Sequence, residues 1–111
     1  MQRLSFVVAI ALAAGCVPTS YAYTPASSRS FEKRSESCAF EIVTAPPDKN
    51  FEEVGTLAHY NGDVPKDLEG LRKAIEKQVC NLGGDAVIAI SEEGKGYTKA
   101  TIIHWPRPFR E

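Results

Sequence analysis

Leu68, Leu71, Ile75, Val79 and Leu82 recur at the 3.6-residue period of a helix, while Arg72, Lys73, Glu76 and Lys77 fall elsewhere on its circumference. The pattern predicts one amphipathic helix, capped by Asp63 or Val64, with Pro65 in its first turn and Gly83 or Gly84 ending it in a left-handed conformation. Asp67 and Glu69 place negative charge near its start, where the helix dipole favours it. On both sides of this segment the period shortens to two. In "CAFEIV" Cys38, Phe40 and Ile42 share one face of a strand, and "TAPPDKN" stops it because Pro46 and Pro47 cannot donate to a ladder. "FEEVGTLAHY" reads as a second strand with a bulge at Gly55. "DAVIAI" is a nearly continuous apolar run suited to an inner strand, and "YTKATIIHW" alternates, so the loop "SEEGKG" between them makes a hairpin. The order β-β-α-β-β predicts an α+β fold: one small, mostly antiparallel sheet covered on one face by a single helix.

The start of the chain follows a different logic. Met1-Gln2-Arg3 and then "LSFVVAIALAA", eleven residues without a charge, have the layout of an export signal, and the run is too short to span a bilayer. Two processing readings follow from what comes next. "LAAGC" resembles the bacterial lipobox, with small residues before a cysteine that is acylated and becomes the mature N-terminus. Ser20-Tyr21-Ala22 offers ordinary signal peptidase a small-x-small site instead, with a cut after Ala22. The first reading is favoured, because Cys16 stands beside Gly15 at the end of the apolar run. It divides the chain into an export signal over 1–15, a disordered tether over 16–37, a folded domain over 38–105 and a tail over 106–111. The tether assignment rests on composition: "VPTSYAYTPASSRSFEKRSES" is rich in Ser, Thr and Pro. It would let the domain stand some tens of ångströms off the membrane.

Of the three cysteines, Cys38 and Cys80 remain in the domain on either reading. An oxidising exported compartment makes their pairing the default, although helical periodicity alone places Cys80 off the centre of the apolar stripe. The formal net charge of −1, or −2 without Arg3, is spread over well-mixed acids and bases, so no strong field draws in nucleic acid.

The segment "LRKAIEKQVCNLGGDAVIAI" combines a helix with a late cysteine, a Gly-rich stop and an Ala-Val-Ile strand. It resembles the small exported domains related to the Rcs stress-sensor lipoprotein (RcsF-like) and is similar to YbjQ-type domains, over about 60 residues. The resemblance implies a compact α+β domain on a flexible, lipid-anchored stalk with disulfide support. The stress sensor has four domain cysteines where this chain has two.

Catalytic chemistry finds no motif. His59 and His104 lie near strand ends with no cysteine or carboxylate at a zinc-ligand spacing, so no metal or other cofactor is expected, and both are read as solvent-facing. "EEGKGYT" lacks the spacing of a phosphate loop, and Glu52-Glu53 and Glu92-Glu93 alternate faces and make no acid–base dyad. An enzyme would need a cleft assembled from Asp85, His104 and loop residues. The remaining polar segment is "HWPRPFRE", where Trp105, Arg107, Phe109 and Arg110 are residue types favoured at binding hot spots. The expected function is therefore a non-enzymatic envelope lipoprotein, a binding or sensing module joined to the membrane through a lipid on Cys16. Val17 after that cysteine suggests the outer membrane. The alternative is a soluble periplasmic or secreted module, cut after Ala22, that binds a small ligand or a metal between His59 and His104.

Overall fold

The computed structural model describes residues 19–106. They form β1 (Ser20–Pro25), β2 (Glu41–Val43), β3 (Glu52–Asn61), α1 (Leu68–Asn81), β4 (Ala86–Glu92) and β5 (Gly96–His104). The fold is α+β, with one mixed five-stranded sheet in the order β1-β3-β5-β4-β2 and α1 packed on it. All neighbours pair antiparallel except β2, which runs parallel to β4.

The strand that composition concealed is β1. The expected tether over 16–37 is corrected for its described part: Ser20–Pro25 pairs with β3 from Asn61 to Gly55 and forms a sheet edge. Tyr21 is buried and its hydroxyl donates to the Tyr97 carbonyl at 2.7 Å. Residues 26–37 are also held. Ala26 N–H donates to Val54 O, Phe31 packs against the core, and Arg34 N–H donates to Cys80 O at 2.8 Å. Hydrophobic burial by two tyrosines and one phenylalanine outweighs the polar composition around them.

Cross-strand pairs define two sheet faces. On one, Tyr23, Leu57, Ala100 and Ala89 make a row across β1, β3, β5 and β4, and Ile102, Val87 and Ile42 make another. These residues pack with Leu71, Ile75 and Val79 of α1, all three fully buried. The bulge expected at Gly55 falls between Glu53 and Gly55. A Cβ on Gly55 would lie 2.4 Å from the Tyr23 ring, so the glycine makes room for the β1 tyrosine. The opposite face carries Thr24, Thr56, Thr101, Ile88 and Val43 in one row, and Ala22, Ala58, Lys99 and Ile90 in the next.

The helix begins later than its proline suggests. Its cap is Asp67, not Asp63 or Val64, with a carboxylate oxygen accepting from Gly70 N–H at 2.7 Å. Pro65 is excluded because its carbonyl accepts Tyr97 N–H at the start of the central strand β5, which holds the chain before Asp67 against that end of the sheet. At the other end Gly83 adopts φ 82° and its N–H reaches Cys80 O, the left-handed stop expected at this position. Cys80 is fully buried and bonded to Cys38 across a Cα–Cα distance of 5.7 Å. The last helical turn thus carries Cys80 to the start of β2, off the Leu71–Ile75–Val79 stripe but still inside the core.

Burial pushes the Tyr21 phenol up from its ordinary value of 10.0 to about 12. The neutral form is favoured in the folded state, so its contribution is complete below pH 10 and is lost as pH rises toward 12, where the unfolded chain has already released the proton. We expect stability to fall as pH rises through that window, with Tyr21 contributing at most about 1.4 kcal/mol per pH unit, read by urea titrations at successive pH values. Tyr21→Phe should remove that component and leave the rest of the pH profile unchanged.

Candidate functional site

Asp85 stands between the end of α1 and the start of β4, and four parts of the chain converge on it. Its backbone N–H donates to Ile103 O at 2.9 Å, and its carbonyl accepts Glu41 N–H at 3.3 Å. Its side chain, only 9% exposed, accepts Trp105 N–H at 2.9 Å and lies 3.4 Å from Arg34 Nη1 and 3.1 Å from His104 Nδ1. Arg34 also donates to Gly84 O at 2.7 Å, so one guanidinium joins the 29–37 loop to the helix stop. These charge-assisted contacts hold the loop, β2 and the end of β5 together.

His104 takes its orientation from two acceptors. Its Nδ1 lies 3.3 Å from Gly83 O and 3.1 Å from Asp85 Oδ2, which assigns the ring proton of the neutral form to Nδ1 and the lone pair to Nε2. Phe31 packs on the ring at a centroid distance of 4.9 Å. Residues 29–34, with Gly83, Asp85 and His104, line an open depression of about 370 Å³. Arg29 is paired with Glu52 and stacked over Phe31, and Arg34 is paired with Asp85, so the two arginines of this loop are neutralised where they stand, while the exposed Lys33 sits beside Glu32 in the sequence. The depression can offer a ligand an imidazole ring and an aromatic edge in a nearly charge-balanced setting. Asp85 and His104 are the pair from which a cleft was conceivable in the sequence. The structure joins them, with Arg34 of the supposed tether as the third member that sequence reasoning missed.

The other sequence candidates disperse. Glu52 of β3 lies opposite His104, while His59 stands seven residues further along β3. The two histidines are therefore about 20 Å apart and do not converge on a shared metal. His59 is half-buried, its Nε2 2.8 Å from Gly62 O and its ring edge-on to Tyr21, which corrects the solvent-facing reading of both histidines. Among the described residues no three His, Cys, Asp or Glu side chains gather to hold a metal. Trp105 does sit at the Asp85 end, with Lys49 Nζ 4.2 Å from its ring centre. Arg107, Phe109, Arg110 and Cys16 lie outside the described residues. Among the described residues no helix is long and apolar enough to cross a membrane.

The network makes a stability prediction. Asp85→Asn keeps the shape but loses the negative charge facing Arg34 and His104, and it should cost about 1–3 kcal/mol. Lys95→Ala breaks only an exposed pair 3.9 Å long with Glu92 and should stay within about 0.5 kcal/mol of the parent in the same urea titration. No protein-family model matches the chain, and neither a curated protein nor a solved structure matches it.

Proposed function

We propose that the chain is a lipid-anchored protein of the bacterial cell envelope, acylated at Cys16, whose small domain binds or senses another envelope component without catalysing a reaction. The observation that carries this reading is the position of β1. A cut after Ala22 would remove Ser20, Tyr21 and Ala22 from a strand paired with β3, and with them a tyrosine that is 4% exposed. A mature protein beginning at Cys16 keeps the strand whole. The Cys38–Cys80 disulfide supports an exported, oxidising setting, and Val17 after the acylated cysteine favours the outer membrane. The non-enzymatic reading rests on Asp85, whose carboxylate is occupied by Arg34, His104 and Trp105 N–H as a structural clamp.

The same position shortens the tether. Three residues, Val17 to Thr19, separate Cys16 from Ser20, and even fully extended they let the two Cα atoms part by at most about 14 Å. The domain is held at the membrane surface, not tens of ångströms above it.

Mass spectrometry of the mature N-terminal peptide tests the proposal. The expected result is an acylated Cys16 as first residue, with Cys16→Ala shifting the folded domain to the soluble fraction. An N-terminus at Tyr23 overturns it in favour of the soluble module.

A further inference from the structure

We propose that the exposed half of the sheet face opposite α1 rests on the bilayer in which the chain is anchored, with Tyr60 and Ile90 at the lipid interface and Lys99 beside the lipid phosphates. This rests on the reading of Cys16 as the acylated residue.

Three observations converge on the same half of one face. Tyr60 and Ile90 are the large hydrophobic side chains that stand exposed among the described residues, at 68% and 41%. Ile90 belongs to the face opposite α1, in the row with Lys99, Ala58 and Ala22, and Tyr60 stands two residues beyond Ala58 on β3, at the bulge between the Ser20–Asn61 and Tyr21–His59 pairs. That position is also next to the anchor. Ser20 pairs with Asn61, so the strand that leaves the membrane lies alongside Tyr60. A connection of at most about 14 Å cannot carry this corner of the domain away from the surface.

Charge distinguishes the two faces that could turn toward lipid. The outer side of α1 exposes Glu69, Lys73 and Lys77, whereas the exposed interior of the bare sheet face carries Lys99 as its charge, surrounded by Ala, Thr and Ile. Of the acids that share this face, Glu41 and Glu53 lie at the far end, level with the buried Ala86 and Ile103, and Glu92 is turned into its pair with Lys95. A tyrosine, an isoleucine and one lysine on an otherwise uncharged surface suit the interfacial layer, where aromatic rings lie at headgroup level and a long cationic side chain reaches phosphate. A second copy of the chain fits less well. Five strands of this length present roughly 500 Å², part of it already covered, where a stable complex uses about 800 Å² per partner.

The test uses the full acylated protein in vesicles of phosphatidylethanolamine with phosphatidylglycerol. Tyr60→Cys, Ile90→Cys and, on the helix side, Lys73→Cys each receive a nitroxide on the only free thiol, and collision rates are measured with oxygen, which partitions into lipid, and with a nickel chelate, which stays in water. The expected result is a several-fold lower nickel rate and a higher oxygen rate at positions 60 and 90 than at 73. If all three labels are equally open to nickel while the N-terminal peptide carries its acyl mass, the docked face is overturned and the anchor stands. Labels at 60 and 90 shielded from both reagents, with dipolar broadening between copies, would overturn it in favour of a dimer. An unacylated Cys16 overturns both proposals at once.

Discussion

Replacing Cys38 and Cys80 together by alanine should lower the stability of the domain by about 2–4 kcal/mol. The two residues are 42 apart in sequence, and closing a loop of that size removes denatured-chain entropy worth about 4 kcal/mol in the loop-closure treatment. The location concentrates the effect. β2 is three residues long, lies at the sheet edge and pairs parallel to β4, so few backbone bonds oppose its detachment. Cys38 ties the chain just before β2 to the last turn of α1, where Cys80 O also receives Arg34 N–H and Gly83 N–H. Without the bond, amide exchange over Glu41–Val43 should lose protection before that of β4 and β5, which hold each other along seven paired residues. Thiol titration of the unfolded, unreduced protein should find neither Cys38 nor Cys80 reactive. Two reactive thiols there, or an alanine pair as stable as the parent, would show that the bond does not brace this edge.

Where a single physical rule governed the outcome, the sequence was legible. The apolar period of Leu71, Ile75 and Val79, the stop at Gly83, the bulge beside Gly55 and the hairpin around "SEEGKG" each follow from local rules, and each stands in the structure. Two rules competed at the start of the helix. Pro65 suits a first turn, but its carbonyl is used by Tyr97 N–H, so Asp67 caps instead. The same competition hid β1. Tyr21 and Tyr23 alternate as a strand requires, yet they sit among Ser, Thr, Ala and Pro, and composition argued for disorder. The candidate site was legible only in pieces. Asp85 and His104 carried no spacing signal because β4 and β5 bring them together from opposite ends of a hairpin, and Arg34 arrives from a loop whose position depends on β1.

A chain beginning at Tyr23 should be far less stable than one beginning at Cys16. It lacks Tyr21, whose side chain is buried in the core, donates to Tyr97 O and receives Gln78 Nε2 on its backbone carbonyl at 3.1 Å. Removing a large buried aromatic side chain alone costs about 3–5 kcal/mol. The loss of Ser20 and Ala22 also takes away their pairing with Asn61 and Ala58, leaving Tyr23 as a frayed strand start over Gly55. Against a total stability of about 5–15 kcal/mol for an ordinary domain, the truncated chain should lose a large share of its stability. Tyr21→Ala in the full chain should reproduce most of the loss, whereas Tyr21→Phe removes one hydroxyl hydrogen bond and should cost only about 1 kcal/mol. Urea titration of the four proteins orders them: parent, Tyr21→Phe, Tyr21→Ala, and the chain from Tyr23 last. Equal midpoints for the first and last would mean that β1 adds nothing to the fold and that its burial gives no reason for a mature N-terminus upstream of it.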